Sequence, residues 1–225
     1  MFSLGSNVKS AQLPTEKRND FLEIFGKLKQ RVLWKWEDDK LAGKPDNVMI
    51  GKWLPQDDVL AHPNVRLFIS HCGKGSINEA KYHGVPILAV PIFGDQMSNA
   101  KQIENEGWAI TVNIAETSKE DIHRSIQELI ENQKYRNVVK TAADLYRDRP
   151  MSALDTAVYW VEYVIRHNGA RHMQSQAVHM NFFQYYGLDV VGLIVAVMYI
   201  VFKIIKYLCL FLFCTKFNKR KNKFE

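Results

Sequence analysis

Cysteine is scarce: three residues in 225, two of them (Cys209, Cys214) in an apolar stretch near the end and one (Cys72) in a loop-like motif. Thiols so placed build no disulfide framework. Cys72 stands beside His71, but no second Cys–His pair occurs at zinc spacing, so no metal site is expected. A signal peptide is missing as well: the first residues, MFSLGSNVKS, have neither the charged nor the long apolar region and read as a strand end and a turn. The expectation is a chain that begins inside a larger protein. Evenly spread positive charge is also lacking. Of a net charge of +6, five basic residues (Lys216, Lys219, Arg220, Lys221, Lys223) sit in the last ten positions, so the remainder is nearly balanced and a nucleic-acid surface is not indicated. Composition near the globular average excludes disorder and fibre, and the length suits one buried domain plus an appendage.

From Phe2 to about Asn168, short apolar runs alternate with amphipathic stretches, the pattern of βαβ units on a parallel sheet. The runs predict strands at Phe2–Leu4, Arg31–Trp36, Val48–Gly51, Leu67–Ser70, Ile87–Val90 and Ala109–Val112. Helices are predicted at Glu16–Lys29, Ser76–His83 and Met97–Glu106. Three more are expected at Lys119–Asn132, Lys134–Asp148 and Ser152–His167, packing back on the domain, the first opened by a capping box of Ser118 and Asp121. In such sheets ligands bind beyond the carboxyl ends of the strands.

The composition changes at Phe182. Leu188–Cys214 is almost wholly apolar apart from Asp189, Lys203 and Lys206, long enough to cross a hydrocarbon core of about 30 Å. Lys203 and Lys206 belong near one interface, and Phe182, Phe183, Tyr185 and Tyr186 form an aromatic belt at the other. The basic tail places the C-terminus in the cytoplasm and the α/β domain on the lumenal or outer face. The last five residues, Lys221-Asn-Lys-Phe-Glu225, fit a KxKxx retrieval pattern for the endoplasmic reticulum. The expected organisation is an α/β domain over 1–170, a juxtamembrane segment over 171–187, a transmembrane helix over 188–214 and a basic cytoplasmic tail over 215–225.

The chemistry concentrates between Trp53 and Gln96. Trp53 follows a strand beside Pro55, where a rigid indole can stack on a base. Gln56 carries an amide able to donate to and accept from hydroxyls. His71, Gly73 and Ser76 surround a strand-to-helix junction, where free N–H groups and the helix dipole suit a diphosphate and glycine admits close approach. Glu79, one turn on, can accept from vicinal hydroxyls; Asp95 and Gln96 pair a carboxylate and an amide fit for sugar hydroxyls, Asp95 being a helix N-cap candidate too. Each has a plainer reading: a core Trp, a turn Gln, a strand-end His, a solvated Glu. His62 and His83 have no orienting carboxylate visible in the sequence.

The blocks WLPQ, ISHCG, the downstream glutamate, HGVP and GDQ, with FSLGS before them and FFQYYGLDV after, resemble the UDP-glycosyltransferases, including the animal glucuronosyltransferases, over nearly the whole chain. The resemblance implies the C-terminal donor-binding domain of a GT-B fold, a Rossmann-like parallel sheet with helices on both faces, followed by one membrane helix. It implies that Trp53 stacks uracil, that Gln56 and Glu79 hold the ribose, and that His71, Gly73, Gly75 and Ser76 hold the diphosphate, with Ser6 reaching it from the first loop. Leu54 joins the donor-binding set beside Trp53, and Asp95 and Gln96 hold the sugar. Where many members have Asn, this chain has Gly75, and Lys74 replaces an apolar residue, removing one donor and adding one charge. The reaction implied is inverting transfer of a hexose or hexuronic acid from a UDP-sugar co-substrate to a small lipophilic acceptor, with no cofactor. Its catalytic histidine and aspartate lie in an N-terminal half, so this chain alone is expected to be inactive. The partners implied are that half, the bilayer and, in some settings, a second copy; the alternative is a catalytically silent membrane protein that binds a nucleotide or a partner.

Overall fold

The computed structural model describes residues 1–221, with side chains as far as Phe211; the KxKxx pattern over 221–225 and the last residues of the expected span therefore lie outside the described side chains. The chain divides into two compact units, Met1–Pro150 and the residues from Met151 onward.

The first unit is a six-stranded parallel sheet in the order β3-β2-β1-β4-β5-β6. Its strands are β1 (Phe2–Ser3), β2 (Val32–Lys35), β3 (Val48–Gly51), β4 (Phe68–Ser70), β5 (Ile87–Ala89) and β6 (Ala109–Thr111). All six apolar runs form strands, trimmed by a residue at half of their ends, and Val90 and Val112 still donate back into the sheet, to Ser70 O and Ala89 O. The helices are α1 (Thr15–Lys27), α2 (Gln56–Ala61), α3 (Lys74–His83), α4 (Gln96–Asn105), α5 (Lys119–Glu131) and α6 (Gln133–Arg147). α2 occupies a stretch to which the sequence reading assigns no element; six residues are too few to show a helical period.

Alternation along the strands sorts the core into two layers. Leu67, Ile69, Leu88 and Val90 face the layer containing Phe21 and Phe25 of α1 and Ile122, Ile126 and Leu129 of α5. Phe68, Ile87 and Ala89 face the layer containing Leu60 of α2, Ile77 of α3, Ile103 of α4 and Val139 of α6. Helices thus cover both faces, and near-continuous apolar strands are what a doubly covered parallel sheet requires. Ser118 caps α5, its hydroxyl accepting from Asp121 N as the sequence pattern predicts.

The middle of the sheet is fixed by aromatic packing. Phe2 on β1 lies between Phe21, 4.8 Å away between ring centroids, and Trp34 of β2, stacked at 5.0 Å; Phe25 meets Trp34 edge-on at 5.4 Å. These contacts tie β1, β2 and α1 together, so that a strand of two residues holds the central position.

The second unit contains α7 (Ala153–Arg166), capped by Ser152, then two short turns, α8 (Phe182–Tyr185) and α9 (Leu188–Lys221). α8 opens with a reciprocal capping box between Asn181 and Gln184. Leu188–Phe211 is long and apolar enough to cross a membrane, with a mean hydropathy of 2.4. Trp34→Ala removes the ring that joins four aromatic neighbours and should cost about 3–5 kcal/mol in denaturant unfolding of the first unit. A loss under about 1 kcal/mol contradicts the central role given to this cluster.

Candidate functional site

The strand order reverses between β1 and β4, whose chain connections run to opposite sides. A crevice opens there at the carboxyl ends of the strands. A cleft of about 480 Å³ occupies it, with walls that include Gly5, Ser6, Trp53, Leu54, Gln56, His71, Gly73, Gly75, Ser76 and Glu79. Nine of the eleven residues singled out from the sequence therefore meet in one cavity: Ser6, Trp53, Leu54, Gln56, His71, Gly73, Gly75, Ser76 and Glu79.

His71 is the best-defined group. Its ring sits between two glycines: a Cβ on Gly5 would lie 2.6 Å from both Cε1 and Nε2, and a Cβ on Gly73 would lie 2.6 Å from Nε2. Gly5 also has φ of +83°, whereas Gly73 has an extended backbone open to any residue, so at Gly73 the requirement is space alone. Burial pushes the His71 pKa below the ordinary histidine value, opposed by the charge of Asp95, and Nδ1 is buried without a partner among the described residues. An imidazole so placed can donate a ring N–H to an anion, whose charge favours the protonated form against the burial that opposes it.

Next to it, Cys72 adopts φ of +64°, a left-handed conformation that β-carbon-bearing residues rarely take. Its amide donates to Ser70 Oγ at 3.2 Å, and its carbonyl accepts from Asn99 Nδ2 at 3.2 Å. Burial raises the thiol pKa to about 12, so Cys72 is an uncharged packing group. The turn swings the chain from β4 into α3. No side chain caps the first turn of α3, whose N-cap is Gly73, so the amides of that turn and the positive end of the helix dipole face the cleft. Gly75 lies in this turn with open space around its Cβ position, and the exposed Lys74 adds a cation at the rim.

Trp53 follows β3 and is 77 % exposed, which excludes the core role that a Trp usually has. Across the cleft, Gln56 Nε2 donates to Ser76 Oγ at 3.1 Å and to the Glu79 carboxylate. The three groups assigned to hydroxyl and phosphate recognition thus bond one another.

Asp95 and Gln96 stand apart from this cavity. Gln96 is buried, and its Oε1 accepts from the amides of Ile92 (2.9 Å) and Phe93 (3.1 Å), shaping the loop after β5. Asp95 occupies the N-cap position of α4 but makes no cap bond; it accepts from Asn99 Nδ2 at 2.7 Å and acts on His71 through its charge. One reading needs correction. His83 has an orienting carboxylate after all: its Nε2 lies 2.7 Å from Asp57 Oδ1, a pairing that folding creates between residues 26 apart.

Ser3, Lys35 and Asp57 also line the cleft and escaped the sequence reading. Lys35 is nearly buried at the end of β2, its ammonium 2.8 Å from Glu37. Position at the carboxyl end of a strand adjoining β1 is the signal that finds Lys35, and it needs the strand order. Among the described residues no group of three or more His, Cys, Asp or Glu could hold a metal ion.

A doubly wound parallel sheet with a cleft where its strand order reverses is a Rossmann-like domain, the architecture of the C-terminal half of GT-B glycosyltransferases. The model of the UDP-glucoronosyl and UDP-glucosyl transferase family matches residues 1–223, and the chain belongs to that family. It is 48 % identical over 206 residues to UDP-glycosyltransferase UGT5 of Dactylopius coccus, covering 92 % of this chain and 39 % of that protein. It is 40 % identical over 213 residues to UDP-glucuronosyltransferase 1A9 of Mus musculus, covering 93 % and 40 %. The chain thus spans about two fifths of the length of these relatives. In fold it is similar to a UDP-glucose:anthocyanidin 3-O-glucosyltransferase solved in complex with UDP, with a TM-score of 0.60, 22 % identity and coverage of 67 % of this chain and 36 % of that one. It is likewise similar to the spinosyn forosaminyltransferase SpnP, with a TM-score of 0.62, 16 % identity and coverage of 73 % and 43 %.

The two glycines of the α3 turn should respond differently to a methyl group. Gly73→Ala leaves a permitted backbone but forces the His71 ring to move, which NMR of the imidazole should register as a changed shift and titration. Gly75→Ala meets open space and should leave His71 as it is. Identical His71 spectra in the two variants contradict the assigned packing.

Proposed function

We propose that this cleft binds the UDP part of a UDP-sugar and that the chain is the donor-binding portion of a UDP-glycosyltransferase. The observation that carries the reading is the meeting, in one cleft at the strand-order reversal, of an exposed indole, a hydroxyl-recognising cluster and an uncapped helix N-terminus. Trp53 offers a face for uracil, Gln56 and Glu79 take the ribose hydroxyls, and His71, Ser76 and the α3 amides take the diphosphate, with Ser6 on the loop above. Gln96 Oε1 already accepts from the loop amides of Ile92 and Phe93 and one Asp95 oxygen from Asn99 of α4, so Asp95 and Gln96 would complete the sugar subsite through their remaining polar atoms or after these bonds exchange.

The reaction is inverting transfer of a hexose or hexuronic acid to a small lipophilic acceptor. The acceptor oxygen attacks the anomeric carbon, its proton passes to a base, and the bond to the diphosphate breaks as UDP leaves. The helix dipole and His71 stabilise the negative charge that develops on the leaving diphosphate. The base belongs to the N-terminal part of the longer enzyme, together with the acceptor wall of the cleft. Leu188–Phe211 anchors the protein in the endoplasmic reticulum membrane with the α/β domain lumenal, and the aromatic residues of α8 lie at the interface.

Trp53→Ala should weaken UDP binding by about 1–3 kcal/mol in titration calorimetry, the range for base-on-aromatic stacking; unchanged affinity removes the stack. The division of labour has its own test, an assay of the purified chain with UDP-glucuronate or UDP-glucose and a phenolic acceptor, alone and with the N-terminal half co-expressed. Turnover is expected only with both halves, since an acceptor hydroxyl needs a positioned base within reach. Turnover by the chain alone contradicts the division, and binding without turnover in either preparation favours the silent alternative.

A further inference from the structure

The bonds that join α2 to α3 lie on one stripe of α3. Ser76, Glu79 and His83 stand at i, i+3 and i+7 and so share a face. The first two residues of α2 reach that stripe in order: Gln56 bonds Ser76 and Glu79, and Asp57 bonds His83 at 2.7 Å. Below them Leu60, buried to 1 % exposure, is the main apolar anchor of a helix only six residues long. Trp53, Leu54 and Pro55 lead directly into this helix, so its seat on α3 sets where the indole stands relative to the α3 turn.

Resting on the donor-site reading above, a consequence follows for ligand binding. Ribose hydroxyls that bond Gln56 and Glu79 must replace the bonds these groups make to one another. Of the two polar ties between α2 and α3, the one through Gln56 is then given up, and the one through Asp57 remains. The Asp57 carboxylate is largely exposed and the His83 ring is mostly covered, at 68 % and 13 % side-chain exposure. A hydrogen-bonded pair so placed adds little to global stability, yet it can fix a short helix locally.

We infer that Asp57 and His83 form a positioning pair that keeps α2 seated on α3, and Trp53 in stacking position, while Gln56, Ser76 and Glu79 exchange their mutual bonds for those of a bound nucleoside diphosphate. Neither residue needs to touch the ligand for this role.

The test is calorimetric titration of UDP into the full chain in detergent, comparing Asp57→Ala, His83→Ala and the double variant with Asp57→Asn and His83→Gln. Asn keeps the acceptor oxygen without the charge, and Gln keeps a donor. Each alanine variant should bind UDP about three- to tenfold more weakly, and the double variant no worse than the weaker single one, as groups acting through one bond do. The Asn and Gln variants should stay within about twofold of wild type, and melting temperatures should move by no more than about 2–4 °C, as for loss of one surface pair. Alanine variants that bind as wild type does, or losses that neither Asn nor Gln restores, overturn the positioning role. A wild-type chain that fails to bind UDP overturns the donor-site reading and this role with it, whereas normal wild-type binding with unaffected alanine variants overturns this role alone.

Discussion

The pairing of β1 with both β2 and β4 is the constraint on which the rest of the molecule depends. Phe2 is in register with Trp34 on one side and Ile69 on the other, and from this strand the order runs outward in opposite directions. The crevice exists because the chain crosses to one side before β4 and to the other after it. Two residues of strand hold so central a place because Phe2 is wedged among Phe21, Phe25 and Trp34, so the hydrophobic layer under the sheet determines where the polar cleft above it opens.

From that constraint the chemistry follows in short steps. β1 ends in a loop carrying Gly5, His71 follows the last residue of β4, and the adjacency of the two strands places the imidazole against a residue without a side chain. The left-handed turn at Cys72 then aims the start of α3 into the crevice, and Gly73 leaves room for the same ring. In the proposed reading a helix terminus, a half-buried imidazole and close backbone approach together receive the phosphates. The exposed indole after β3, three positions from β4 in the sheet, supplies the flat apolar surface that phosphate-binding groups lack.

Much of this was legible in the sequence because it depends on local pattern. Short, near-continuous apolar runs marked all six strands, and Gly73 and Ser76 after the Leu67–Ser70 run marked the strand-to-helix junction. Trp53 was readable because WLPQ puts an indole just past a strand. What was not legible depends on contacts across elements. The Gln56–Ser76 and Gln56–Glu79 bonds join residues 20 and 23 apart, and no composition or period announces them. The same holds for Asp57–His83, which needs α2 to be a helix seated in one register on α3. Lys35 and Ser3 enter the cleft only through strand order. Gln96 shows the opposite case: its amide looked suited to a sugar, but burial commits its oxygen to two loop amides. The left-handed backbone at Cys72 gave no sign of itself, since the residue is not glycine.

The central claim is that a nucleoside diphosphate lies across the β1–β4 crevice with its phosphates at the start of α3. Titrating UDP into isotope-labelled protein and following backbone amide and indole resonances by NMR tests it most directly. The amides of Lys74, Gly75 and Ser76 and the Trp53 indole N–H should move together along a single saturable curve. Saturable binding that leaves those four signals in place, with shifts clustered at the amino ends of the strands instead, would contradict it.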